Sequence, residues 1–128
     1  MIRGYRRRVF TSRPADLLAV LAGGFVGTAA RQVVLLLGPA AGLAVANLLG
    51  CALLGILDAI LGSRRQRLRC FLVVGGIGAF TSWSSLAVQG LSVTGLMVLV
   101  FEVPAGVGAA WLGRRLGTRL VRRGRTRT

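Results

Sequence analysis

Long apolar runs alternate with blocks of arginine along this chain. A helix needs about 20 apolar residues to cross a bilayer. Four runs are of that order: Leu17–Gly38, Gly42–Gly62, Cys70–Ala87 and Ser92–Gly113. The connections between them are short. The pattern therefore predicts an all-α membrane protein with four transmembrane helices and no separate soluble domain. Residues 1–128 divide into a basic N-terminal segment (1–16), a transmembrane part (17–113) and a basic tail (114–128). Arginines precede the first run, as in a signal peptide. That run is too long for a signal peptide's apolar core, and three more spans follow it, so it is read as a retained helix.

The third run differs from the others. Its centre, Gly75–Leu86, reads GGIGAFTSWSSL. Gly75, Gly76 and Gly78 each weaken a helix by roughly 1 kcal/mol relative to Ala. Thr81, Ser82, Ser84 and Ser85 bring hydroxyls that compete for backbone carbonyls. The third helix is therefore expected to be broken mid-membrane. Non-helical backbone at that depth is tolerated only where protein or a watery cavity covers it, and its freed carbonyls and amides suit ions. The plainer alternative is a small-residue packing face.

Charge gives the topology. All seventeen basic residues are arginine, set against three acids, for a net charge of +14. Sixteen of them lie before the first span, between the second and third, or after the fourth; Arg31 alone lies within a span. The turns Gly38–Gly42 and Gln89–Thr94 carry no charge. By the positive-inside rule, both termini of this multi-pass protein are expected to face the cytoplasm. Blocks that flank apolar spans argue for lipid headgroups rather than nucleic acid as their partner. The chain has no His, and Cys51 and Cys70 lack metal-site spacing. With no nucleophile–base pair either, an enzyme has no support.

Few polar residues fall inside the spans. Pro14 and Asp16 suit the first turn of the first helix. Gly23, Gly27 and Ala30 leave one face of that helix small enough for close packing. Arg31 admits three readings: a functional charge, a side chain snorkelling to the nearby helix end, or a structural clamp on carbonyls. Asn47 is either interhelical glue or a source of two N–H donors for an anion. Asp58 is expected to pair with Arg64 or Arg65. Glu102 at mid-span is a functional candidate, and Pro104 should kink or loosen the fourth helix. The tail from Arg114 is expected to be disordered or to lie on headgroups.

Taken together, Gly23–Arg31, Val45–Gly55 and Gly75–Leu86 resemble the CrcB or Fluc family of fluoride channels. Gly23, Gly24, Gly27, Thr28 and Arg31 follow that family's GG-x-x-G-A-x-x-R pattern. Asn47, Gly50 and Gly55 follow its N-x-x-G-x-x-x-x-G pattern. Gly78–Leu86 follows its G-G-x-T-T-F-S-T-F pattern. The likeness covers about residues 17–116. It implies an antiparallel dimer of four-helix subunits that passes fluoride out of the cytoplasm, lowering its toxicity. It also implies a structural sodium ion at the dimer centre, held by backbone carbonyls at Gly78 and Thr81. Asn47, Trp83, Ser84, Leu86 and Glu102 take the pore positions, and Arg31 a structural one.

The departures matter as much. Trp83 and Leu86 stand where the family has phenylalanines, whose ring edges can face an anion. Trp keeps an aromatic edge; Leu has none. Glu102 stands at a hydroxyl position, where a carboxylate would repel fluoride unless protonated or paired with an Arg. The fixed charge bias and the eroded phenylalanine pair favour one subunit of a heterodimer, with a second homologous subunit in the opposite orientation, over a homodimer. Two alternatives are a small multidrug-resistance-type transporter, which would need a carboxylate in the first span, and a non-conducting membrane assembly subunit.

Overall fold

The computed structural model describes residues 13–62 and 65–125. Helix α1 is Pro14–Leu35 and α2 is Pro39–Leu61. A short α3, Gln66–Arg69, runs into a π-helical segment, Cys70–Ile77, and then α4, Gly78–Phe80. Helix α5 is Trp83–Gln89 and α6 is Val93–Arg125. Four helical stretches are long and apolar enough to cross a membrane: α1, α2, Gln66–Gln89 and α6 up to Gly124.

Both of the first two helices start at a proline, whose missing N–H costs nothing at that position. The turn between them is Leu36–Gly38, shorter than the expected Gly38–Gly42. Gly38 has φ 108°, a conformation open to glycine, and Pro39 already begins α2. Helix α6 carries one further correction. It runs through Pro104 as one helix and continues through Arg114–Arg125, so that stretch is helical rather than disordered. Its 33 residues make a rod of about 50 Å at 1.5 Å per residue, against a hydrocarbon core of about 30 Å. Where the rod leaves the apolar zone, the Arg115 guanidinium stacks 3.7 Å from the Trp111 ring centroid. An amphipathic pair of this kind suits a membrane boundary.

The packing is inside-out relative to a soluble protein. Among the described residues no large side chain is fully buried, while Leu21, Phe25, Leu36, Leu91 and Phe101 stand exposed around the outside. Lipid tails can cover such a surface, and the helices instead meet through glycine. Helix α2 packs mainly on α6, and α1 on the π segment and α4. A Cβ on Gly23 or Gly27 would strike the carbonyls of Phe71 and Gly76, and one on Gly75 would strike that of Val20. A Cβ on Gly55 or Gly113 would strike the carbonyls of Ala110 and Ala52. Close backbone approach of this kind is how membrane helices gain contact without a hydrophobic drive.

Polar ties are few. Gln66 donates to buried Asp16 at 3.1 Å, joining the starts of α1 and α3. Asp58 pairs with Arg69 at 3.4 Å rather than with Arg65; Arg64, the other expected partner, lies outside the described residues. Both side chains of that pair are more than a third exposed, so it adds little stability. The arginines before Arg13 also lie outside the described residues.

Candidate functional site

Thr81 and Ser82 are extended, at φ −82°, ψ 156° and φ −144°, ψ 96°, and they separate α4 from α5. The Ser82 N–H, which in a continuing helix would close on the Gly78 carbonyl, donates instead to Asn47 Oδ1 at 2.9 Å. This bond fixes the orientation of the amide, because a backbone N–H can only donate. Asn47 Nδ2 then faces α6 and donates to Glu102 Oε1 at 2.9 Å. The Ser82 hydroxyl caps α5 by accepting from the Ser85 N–H at 3.3 Å, and it donates to Ser85 Oγ at 2.8 Å.

Relative exposure is 9% for Asn47 and 8% for both Ser82 and Glu102, so the three form a buried polar cluster spanning α2, the α4–α5 junction and α6. In such surroundings an unpaired donor or acceptor costs about 1–3 kcal/mol. The cluster opens on a cleft of about 340 Å³ with an otherwise apolar wall. Asn47, Trp83, Leu86 and Glu102 all line it, as does Thr81. Gly50 and Gly106 form part of its wall where a side chain would narrow it. Ser84 is exposed and does not line the cleft. Ser82, read in the sequence for its hydroxyl, acts also through its backbone N–H, which no side-chain pattern marks, and Cys51 lines the wall.

Arg31 lines a second cleft, of about 320 Å³, with Ser85 and Gln89. The expected bonds to helix-end carbonyls are not made among the described residues, and its Nε is buried without a partner.

No group of three or more His, Cys, Asp or Glu among the described residues could hold a metal. The cation chemistry available is that of backbone oxygen. Diverting the Ser82 N–H to Asn47 releases the Gly78 carbonyl from the helical ladder, and extended Thr81 turns its own carbonyl out of it. Neutral carbonyl oxygens suit a hard monovalent cation, so these residues fit sodium in donor type.

These features define a four-span helical membrane protein with a polar cluster built on glycine-mediated packing. Residues 18–114 match the family model described as "CrcB-like protein, Camphor Resistance (CrcB)". The chain belongs to the CrcB family. A protein of Cereibacter sphaeroides named "Fluoride-specific ion channel FluC" is 31% identical over 113 residues, covering 83% of this chain and 86% of that protein. "Fluoride-specific ion channel FluC 2" of a Synechococcus species is 39% identical over 111 residues, covering 82% and 83%. "Fluoride-specific ion channel FluC 1" of Methanospirillum hungatei is 30% identical over 116 residues, covering 88% and 82%. No solved structure matches the chain. Membership in this family sets aside the multidrug-transporter alternative.

Proposed function

We propose that this chain is one subunit of a fluoride channel that lets the ion leave the bacterial cytoplasm. The observation that carries the reading, beside the names of its relatives, is a buried amide N–H at a cleft lined by α2, α5 and α6. Fluoride is small and strongly hydrated. A wall of Leu, Val and Ala cannot replace its lost water, and burial of an unpaired ion costs many kcal/mol. Asn47 has two N–H groups, and Glu102 takes one. Trp83 adds an aromatic edge at the same cleft.

In this reading the second subunit is homologous and inserted the other way up, and the third span is broken at mid-membrane depth. Support comes from the charge map, which leaves no arginine in two of the turns. Half the copies of a homodimer would have to place sixteen arginines on the wrong side. Both termini of this chain then lie in the cytoplasm. Arg31 is structural, with its partners on the other subunit, which accords with a buried Nε unpaired within the chain. The test is fluoride efflux from liposomes, read with a fluoride-selective electrode. The assembly purified from its native membrane through a tag on this chain should release fluoride and retain chloride. The chain expressed by itself should release little. No efflux from the native assembly would overturn the channel reading, and full efflux from the single chain would overturn the pairing.

Sodium is assigned to the Gly78 and Thr81 carbonyls at the centre of that dimer. The ion supplies the positive charge that the carbonyl oxygens would otherwise lack, and it takes no part in transport. Replacing sodium by N-methylglucamine through purification should lower the melting temperature of the assembly and split it on gel filtration. Re-adding sodium, but not potassium, should reverse both. A melting curve indifferent to sodium, after exchange long enough to empty a trapped site, would remove the ion from the account.

A further inference from the structure

We propose that Glu102 is an internal competitor for the anion: its carboxylate takes one of the two Asn47 N–H groups that would otherwise serve a permeating fluoride. This inference rests on the fluoride-channel reading and deepens it. Glu102 Oε1 accepts from Asn47 Nδ2 at 2.9 Å, and the carboxylate is buried in the wall of the cleft Asn47 faces. Asn47 cannot rotate away, because its Oδ1 is held at 2.9 Å by the Ser82 N–H. Nδ2 therefore points at α6 throughout, and any acceptor reaching it from the cleft meets Glu102 already in place. A carboxylic acid and a carboxylate both accept that bond, so the competition does not depend on which form Glu102 takes. No arginine partner relieves it: the single ion pair among the described residues is Arg69 with Asp58, and the Arg31 side chain lines another cleft.

The geometry assigns Glu102 a definite consequence. Fluoride entering this cleft finds one Asn47 N–H already taken and gains both donors only by displacing Glu102, so its apparent affinity for Asn47 is lowered. An alanine at position 102 has no acceptor, and Asn47 would then meet the anion with both N–H groups open. A hydrogen bond to a charged group contributes about 1.5–3 kcal/mol, which corresponds to roughly tenfold or more in affinity.

Asn47 is the only asparagine in the chain. Selective 15N labelling of asparagine side chains in this chain, with its partner left unlabelled, therefore reports one side-chain amide, and a potassium fluoride titration of the purified assembly reads that site alone. In the Glu102→Ala variant, the midpoint of the fluoride-induced shift should fall about tenfold or more below that of the unmodified protein. Glu102→Gln keeps an acceptor within reach of Asn47 and removes the charge. Its midpoint should stay near the unmodified value, and it serves as the test if Glu102→Ala fails to fold. Equal midpoints in the unmodified protein and Glu102→Ala would overturn the proposal. So would an amide signal that ignores fluoride in both. A Glu102→Gln midpoint as low as that of Glu102→Ala would overturn occupancy in favour of simple charge repulsion. Fluoride efflux, measured separately, reports on the channel reading: a chain that carries no fluoride still has a midpoint to compare.

Discussion

Gly55→Leu is expected to abolish the assembled protein, with no monodisperse peak on gel filtration in detergent and no cooperative melt. Helices α2 and α6 form the most extensive contact in the chain, and they touch at the backbone. At Gly55 a Cβ would overlap the Ala110 carbonyl and come within 2.8 Å of the Arg114 nitrogen. At Gly113 it would overlap the Ala52 carbonyl. Gly106, Gly113 and Gly117 recur on one face of α6 at helical spacing, so the seam is continuous. Backbone atoms cannot rotate aside as a flexible side chain can. The two helices would have to separate by the width of a side chain, and the buried Asn47–Glu102 bond, which also joins α2 to α6, would go with them. Gly113→Leu should fail in the same way. Gly108→Ala is the control, because a Cβ there meets nothing within 4 Å. It should fold and gain up to about 1 kcal/mol in helix propensity. Gly55→Leu protein that elutes and melts like the unmodified chain would refute this account of the seam.

Hydropathy made the four spans legible because lipid burial is a property of composition along a run. It did not place the end of α6. Mean hydropathy falls at Arg114, but Leu and Arg are both good helix formers, so the helix continues after the apolar zone ends. Gly117 still packs against Ile56 and Ala59 of α2 beyond that point. The Gly75–Leu86 stretch stood out by its small and hydroxylated residues. The π-helical segment that overlaps its start, Cys70–Ile77, did not; there the carbonyls of Phe71 and Gly76 lie close against Gly23 and Gly27 of α1, a contact only the fold makes. Asn47 and Glu102 were each visible as a polar residue in an apolar run. Their pairing was not, because the partners lie 55 residues apart in the chain. Only the fold brings α2 and α6 into register. Reading Glu102 by itself left protonation or an arginine as the ways to offset its charge; the neutral amide that meets it could be found only from coordinates.

The other large effect is expected at Asn47, where one side chain serves the fold and the anion together. Asn47→Asp keeps an oxygen for the Ser82 N–H and removes the Nδ2 donor. It also sets a second acidic oxygen against Glu102 at the position of the present 2.9 Å bond. Two acceptors at that distance repel unless a proton lies between them, so the native assembly should melt at a lower temperature and its fluoride efflux should fall by about tenfold or more. Adding Glu102→Gln to Asn47→Asp reverses the direction of the bond: the new amide donates and the new carboxylate accepts, while the Ser82 N–H keeps its partner. The double variant should therefore recover most of the lost stability. Efflux should stay low, because position 47 still offers the anion no N–H and the amide at position 102 is engaged. That split between a restored melting temperature and an unrestored flux separates the two roles. If flux returns together with stability, Asn47 acts only as interhelical glue and fluoride takes its donors from elsewhere in the assembly.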